Sequence, residues 1–250
     1  MRFQVLRAAL ALAFFVALGA RSEAQTPPVP PGGLPSVQQQ NEEIIKELRT
    51  IRALLESVVG PARPARPTSG RVTDLKGYSL GSADAPLTMV EFTDLQCPYC
   101  RQFALTTFDE LKKNWIDTGK LRYISRDFPI DMLHPHATAA ARAARCAGEQ
   151  GKFWDMRLTL VRNANVLSPD FIRKTAGELK LDTAAFSTCA ASAKHDAAIQ
   201  AELQEGTKLG IDGTPTFVIG RTTPAGIEGP MIVGALPYAQ FDAKLRELLK

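Results

Sequence analysis

The chain has 250 residues, of which 45% are hydrophobic and 22% are charged, and its formal net charge at pH 7 is +4. This length and composition support one domain with a sizeable core plus appended segments. The charge falls to +2 without the four charged residues of segment 1–24. That small excess excludes the strongly basic surface of a nucleic-acid-binding protein, so no nucleic acid partner is expected.

The first 24 residues are typical of a cleavable signal peptide. Two arginines form a basic start, residues 8–20 form an apolar run, and SEA at residues 22–24 supplies small residues for a cleavage site. A membrane-spanning helix needs roughly 20 apolar residues, and this run is shorter. We therefore expect a mature chain that begins at Gln25 and is periplasmic or secreted. An uncleaved membrane anchor is the alternative.

Three short segments precede the expected globular domain. Residues 25–36 are rich in proline and glycine and predict an extended tether. Residues 37–59 predict a helix with a heptad pattern, and residues 60–70 predict a proline-rich spacer that ends it. The globular domain is therefore expected over residues 71–250.

The heptad helix carries an apolar stripe suited to self-association. Leucine at a positions with β-branched residues at d positions disfavours a parallel dimer and favours a trimer or tetramer. The a positions are Asn41, Leu48 and Leu55, and the d positions are Val37, Ile44, Ile51 and Val58. One expectation is a homo-oligomer through residues 37–59. The alternative is that the helix packs back on its own domain.

Within the domain, the predicted order is strand, helix, strand, helical block, strand, strand and helix. The helical block covers about residues 136–210, and Ser168 and Asp182 are typical N-cap residues inside it. The other elements are strands at 86–94, 120–128, 216–220 and 230–235 and helices at 100–115 and 237–250. The pattern predicts an α/β fold.

The sequence CPYC places Cys97 and Cys100 where a strand runs into a helix. The unpaired N–H groups and the positive dipole end of a first helical turn stabilise an anion, so Cys97 is the expected thiolate and nucleophile. Pro98 suits the first helical position because the N–H that it lacks would have no partner there. With Tyr99 between them, Cys100 lies one turn further on and is the expected resolving thiol.

A permanent disulfide and a metal knuckle are two other interpretations of this motif. A zinc site needs two more ligands at matching spacing. The other two cysteines lie far downstream, and the three histidines form no paired motif. We therefore expect no metal and no cofactor at CPYC.

Three sequence blocks together resemble the DsbA-like branch of the thioredoxin superfamily. They are VEFTDLQCPYC, the segment at residues 134–156 and GIDGTPTFVIG at residues 210–220. The resemblance covers about residues 75–250 and implies a thioredoxin fold interrupted by a helical domain, with the heptad helix outside the family core. It also implies a thiol–disulfide oxidoreductase of the cell envelope that acts on exported proteins.

The resemblance assigns roles to three further residues. Glu91 lies where thioredoxin-like proteins place a buried acid, which could exchange a proton with Cys100. The alternative is a polar residue on a half-exposed strand. Thr214 and Pro215 match the loop that the family holds in the cis form opposite the cysteines, where an extended substrate can pair with the backbone.

Cys146 and Cys189 fall in two predicted helices of the helical block. In an oxidising compartment a leftover pair is expected to be bridged, and related proteins often carry such a second disulfide. The alternative is two buried free cysteines that act as small apolar residues.

The sequence leaves three functions open. The first is an oxidase that transfers disulfides to exported proteins with cysteines and is regenerated by a membrane or envelope redox partner. The second is an oligomeric isomerase or reductase with the same cysteines. The third is a non-catalytic chaperone or metal-binding envelope protein, against which the lack of methionine and histidine clusters in the sequence argues.

Overall fold

The computed structural model describes residues 36–59 and 66–250. The predicted signal peptide, residues 25–35 of the tether and residues 60–65 of the spacer lie outside the described residues. The chain divides into two compact units, Met1–Arg63 and Pro64–Lys250. The first unit contains helix α1 (Val37–Val59), whose bounds are those that the heptad pattern predicts. Among the described residues, no helix combines the length and apolar character that crossing a bilayer requires.

In its described part, the second unit contains a six-stranded sheet with the order β1-β6-β5-β3-β4-β2. Strands β3 and β4 run parallel, and the other neighbouring pairs are antiparallel. The strands are β1 (Ser69–Val72), β2 (Ser79–Leu80), β3 (Leu87–Thr93), β4 (Leu121–Asp127), β5 (Thr216–Arg221) and β6 (Ile227–Val233). The sequence pattern predicts β3 to β6 and misses the two short strands. Strand β1 takes up the last two residues of the predicted spacer.

The helical block lies between β4 and β5 and comprises α4 to α8. Helices α6 and α7 begin as predicted, because the side chains of Ser168 and Asp182 accept backbone hydrogen bonds at their N-termini. The predicted helix at 100–115 is interrupted at Thr107 and ends in a π-helical turn. The helices of this unit are α2 (Pro98–Thr106), α3 (Phe108–Leu111), α4 (Ala137–Gly148), α5 (Phe153–Arg162), α6 (Pro169–Glu178), α7 (Thr183–Ala191), α8 (Asp196–Lys208) and α9 (Tyr238–Leu249).

Strand β3 is buried along its whole length and separates two apolar clusters. Leu87 and Met89 belong to the cluster that includes side chains of α2, α3 and α9. Val90 and Phe92 belong to the opposite cluster, which includes side chains of β1 and α8. Since side chains alternate along a strand, Glu91 shares the face of Leu87 and Met89. An acidic side chain thus lies inside the fold on the side of α2.

A disulfide joins Cys146 on α4 to Cys189 on α7, with their Cα atoms 5.8 Å apart. The Cys146→Ala/Cys189→Ala variant is expected to lose about 4 kcal/mol of unfolding free energy, because the bridge closes a long loop in the unfolded chain. Urea unfolding of the oxidised proteins measures this loss. With a reductant present, wild type and variant should converge. Equal midpoints without reductant would contradict a stabilising role.

Candidate active site

The CPYC motif lies where β3 leads into α2. Cys97 is the N-cap residue of α2, and Pro98 occupies the first turn. Tyr99 is 62% exposed, whereas Cys97 is 4% and Cys100 is 1% exposed. Both cysteines are free thiols and belong to the apolar cluster of the helical block. The pair therefore lies just beneath the surface, with an exposed aromatic side chain between its members.

The loop with Thr214 and Pro215 lies against Cys97. The Thr214–Pro215 peptide bond is cis, as the resemblance implies. In its thiol form, Cys97 donates a hydrogen bond from Sγ to the carbonyl oxygen of Thr214 over 3.3 Å. The hydroxyl oxygen of Thr214 is buried and makes no hydrogen bond within the described part of the chain. The fold thus brings together two regions that are 117 residues apart.

The two cysteines have opposite acidities. A hydrogen bond from Cys100 is the main cause that lowers the pKa of Cys97 to about 6. Contacts with Thr214 and with the backbone amides of Tyr99 and Cys100 act in the same direction, against the effect of burial. Burial raises the pKa of Cys100 well above its ordinary value, and the charges of Cys97 and Glu91 add to this. At neutral pH, Cys97 is the thiolate and Cys100 the thiol.

A buried ion pair lies close enough to Cys100 to influence it. Glu91 accepts hydrogen bonds from the Tyr123 hydroxyl and the Arg157 guanidinium, and all three side chains are buried. Arg157 also donates to the hydroxyl of Ser125 over 2.9 Å. Its guanidinium carbon lies 5.4 Å from the ring centroid of Trp154, in reach of a cation–π interaction. Glu91 is therefore a paired internal carboxylate and not part of a half-exposed strand.

The segment before Cys97 is held by polar contacts with the residues that follow β4. The buried carboxylate of Asp94 accepts hydrogen bonds from the backbone N–H groups of Gln96 and Ile130, each over 2.8 Å. The same carboxylate lies 2.8 Å from Nδ1 of His134. The amide oxygen of Gln96 accepts from the N–H of His136 over 2.6 Å. These contacts fix the loop that presents Cys97.

The low pKa of Cys97 predicts how the reactivity of this thiol towards alkylating agents depends on pH. Alkylation of Cys97 in the reduced protein should rise with pH around a midpoint of about 6 and level off above about 7, since only the thiolate reacts. Relative to an ordinary thiol, this acidity stabilises the reduced form at pH 7 by about 1.4 kcal/mol, or about 30 mV. The stabilisation grows from about pH 6 upward and is lost below it. A midpoint near that of a free thiol would contradict the assignment, and Cys97→Ala is the control.

The comparisons with known proteins agree with this geometry. A family model described as Thioredoxin matches residues 73–227. The crystal structure of α-DsbA1 from Wolbachia pipientis is 25% identical, with a TM-score of 0.62 over 68% of this chain and 89% of that chain. The chain belongs to the DsbA-like thioredoxin-fold family. The predicted thioredoxin fold with an inserted helical domain and a preceding helix is confirmed.

A second solved structure supports the same fold. A thioredoxin-like oxidoreductase from Silicibacter pomeroyi is 27% identical, with a TM-score of 0.56 over 70% of this chain and 92% of that chain. At a general level, the structural neighbours are thiol–disulfide oxidoreductases, so an oxidoreductase-type reaction is supported for this DsbA-like chain.

Among curated relatives, this DsbA-like chain matches part of a much longer protein. The Na(+)/H(+) antiporter NhaA 3 of Salinispora tropica is 32% identical over 200 residues, which cover 76% of this chain and 29% of the antiporter. The chain thus spans less than a third of the length of this relative. The activity in its name belongs to that protein.

Sequence reasoning placed the cysteines, Glu91 and the Thr214–Pro215 loop, which the DsbA-like fold brings together. It missed Arg157 and Tyr123 around Glu91 and the Asp94–His134 contact. Arg157 lies on a helix otherwise rich in apolar residues, and an arginine inside such a run is a signal for a buried partner. The position of Asp94 directly after a buried strand gave no comparable signal.

Proposed function

We propose that the protein is an exported thiol–disulfide oxidoreductase that transfers the Cys97–Cys100 disulfide to reduced proteins of the cell envelope. The observation that carries the proposal is the opposite acidity of the two thiols, with the acidic one beside the Thr214 carbonyl. A low thiol pKa makes Cys97 a good leaving group, which favours transfer of the disulfide to a substrate.

Transfer proceeds in two exchanges. A substrate thiolate attacks Sγ of Cys97, the Cys97–Cys100 bond breaks, and Cys100 leaves with the electron pair and takes up a proton. A second substrate thiolate then attacks the substrate sulfur of this mixed disulfide. A substrate disulfide forms, and Cys97 leaves as the thiolate. In the reverse direction Cys100 must lose its proton, and we assign Glu91 to receive it.

The surroundings of the motif fit an unfolded polypeptide as substrate. Met132 is 98% and Leu133 is 71% exposed, and both lie in the segment that Asp94 ties to the loop of Cys97. Exposed apolar side chains of this size attract apolar segments of another chain. The backbone beside Pro215 offers hydrogen-bonding groups to an extended segment. A membrane or envelope redox partner would reoxidise the cysteines.

The redox state of Cys97 and Cys100 in cells tests the direction of the reaction. Extracts of cells that express the full chain are quenched with acid, and free thiols are alkylated and located by mass spectrometry. A disulfide between Cys97 and Cys100 supports the oxidase. A dithiol supports an isomerase or reductase that a partner keeps reduced.

An oligomeric isomerase is the second candidate, and α1 is the observation that favours it. Ile44, Leu48, Ile51 and Leu55 are each more than half exposed in the single chain. Burying this stripe between copies would join their α1 helices into a bundle, here called the stalk. The stalk would bring several active sites together and raise their effective concentration on a misbridged substrate.

Light scattering tests the stalk. The chain from Gln25 is expected to have the mass of a trimer or tetramer at micromolar concentration, whereas a version from Pro64, which keeps β1, should be a monomer. Ile51→Lys in the longer chain should also give monomers. If all three proteins are monomeric, the stalk is excluded and the simple oxidase is favoured.

A further inference from the structure

Two side chains of metal-binding types, His195 and Glu149, lie beside the second disulfide. The ligand atoms of Cys146, Cys189 and His195 all lie within 4.8 Å of one another. A fourth candidate ligand is also present, since Oε1 of Glu149 lies 3.7 Å from Sγ of Cys189 and 2.8 Å from Nε2 of His195. The four side chains come from the end of α4, from α7 and from the start of α8.

The imidazole of His195 is poised to act as a ligand. Its side chain is 15% exposed, and its Nε2 atom lies 2.8 Å from Oε1 of Glu149. A disulfide whose role is only to staple two helices needs neither an imidazole nor a carboxylate beside its sulfur atoms. Two thiolates, an imidazole and a carboxylate match the ligands and the coordination number that zinc prefers.

We propose that Cys146 and Cys189, once their disulfide is reduced, form with His195 and Glu149 a binding site for a zinc-type divalent cation. A dithiol reductant supplies two electrons, the S–S bond breaks, and each sulfur takes up a proton while the reductant becomes a disulfide. The metal then displaces both protons and binds the two thiolates. The site is closed to metal in the oxidised protein because the bridged sulfurs carry no thiolate.

One neighbouring cation opposes the metal. The ammonium group of Lys194 lies 2.8 Å from the same Glu149 oxygen that faces His195. The Lys194 side chain is 61% exposed and can turn into solvent. Metal binding therefore requires the Lys194 ammonium group to leave Glu149 and the metal ion to take its place.

Zinc binding by the full chain with Cys97→Ala and Cys100→Ala tests the proposal without the other thiol pair. The protein is reduced with a phosphine, freed of reductant, incubated with Zn²⁺ and passed over a sizing column, and its zinc is measured by mass spectrometry. We expect about one ion per reduced chain and none per oxidised chain.

His195→Ala should weaken binding at least about tenfold. Lys194→Ala should strengthen it, and the control His136→Ala should leave it unchanged. If the reduced Cys97→Ala/Cys100→Ala chain binds no zinc, or if adding His195→Ala leaves its zinc affinity unchanged, the proposal is wrong.

A second measurement does not depend on the folding of the reduced variant. In glutathione buffers, zinc should make reduction of Cys146–Cys189 in the wild-type chain occur in less reducing mixtures, because the metal binds the reduced form alone. Glu149→Gln and His195→Ala should both diminish this shift. If zinc leaves the reduced fraction of this pair unchanged, the proposal is wrong, whatever the outcome at Cys97.

Discussion

Cys97→Ser is expected to reduce disulfide transfer to the rate of the uncatalysed reaction. A serine hydroxyl can neither form the transferable disulfide nor leave as a stabilised anion, so both exchanges are lost. Oxidative refolding of a reduced model protein by the oxidised enzyme measures the effect. Tyr99→Ala is the matched control, because it alters the motif and keeps both thiols, and it should retain disulfide transfer.

Cys100→Ser is expected to have a different outcome. In the reduced variant, Cys97 still attacks a substrate disulfide, but the thiol that resolves the mixed disulfide is missing. Adducts linked through Cys97 should therefore accumulate on non-reducing gels, and Cys97→Ser should give none. If Cys100→Ser forms no adducts where wild type turns over, the roles given to the two cysteines are wrong.

Arg157→Met is expected to cost about 3–5 kcal/mol of unfolding free energy, because it leaves the buried carboxylate of Glu91 without its cation. Chemical denaturation measures the loss. Arg162→Met on the same helix is the control. The Arg162 side chain pairs with Asp109 near the surface, where the partners are 34% and 70% exposed. Such a pair contributes about 0–1 kcal/mol.

A double-mutant cycle separates the ion pair from simple packing. In a Glu91→Gln background no buried charge remains to be compensated, so Arg157→Met should cost clearly less than in wild type. Glu91→Gln should also slow resolution of mixed disulfides, because Cys100 loses its proton acceptor. Additive losses of stability, with resolution at the wild-type rate, would contradict the proposed pair and its function.

The sequence predicts those parts of the fold that depend on local pattern. The apolar run of β3, the N-caps Ser168 and Asp182 and the helical periodicity of residues 37–59 each carry their own signal, and the structure has this strand, both caps and helix α1 where expected. Strands β1 and β2 have no such signal. They are four and two residues long, and they form because β6 and β4 offer them an edge.

The sequence predicts the reactive groups of the candidate site better than it predicts the side chains that surround them. The cysteines and the Thr214–Pro215 loop are marked by motifs, whereas Arg157 is 66 residues from Glu91 and is brought to it by the packing of the helical block. The proximity of His195 and Glu149 to the second disulfide is likewise a product of three helix ends that meet in space. Spacing along the chain does not show which residues meet in either arrangement.

Counting thiols after a single turnover tests directly whether Cys97 and Cys100 transfer their disulfide. The oxidised protein is mixed with a reduced, unfolded substrate, quenched with acid and alkylated, and each cysteine is assigned by mass spectrometry. We expect about one new disulfide in the substrate for each chain consumed, with two new thiols at Cys97 and Cys100 and the Cys146–Cys189 bridge intact. A substrate that stays reduced, or new thiols at Cys146 and Cys189 in place of the CPYC pair, would contradict it.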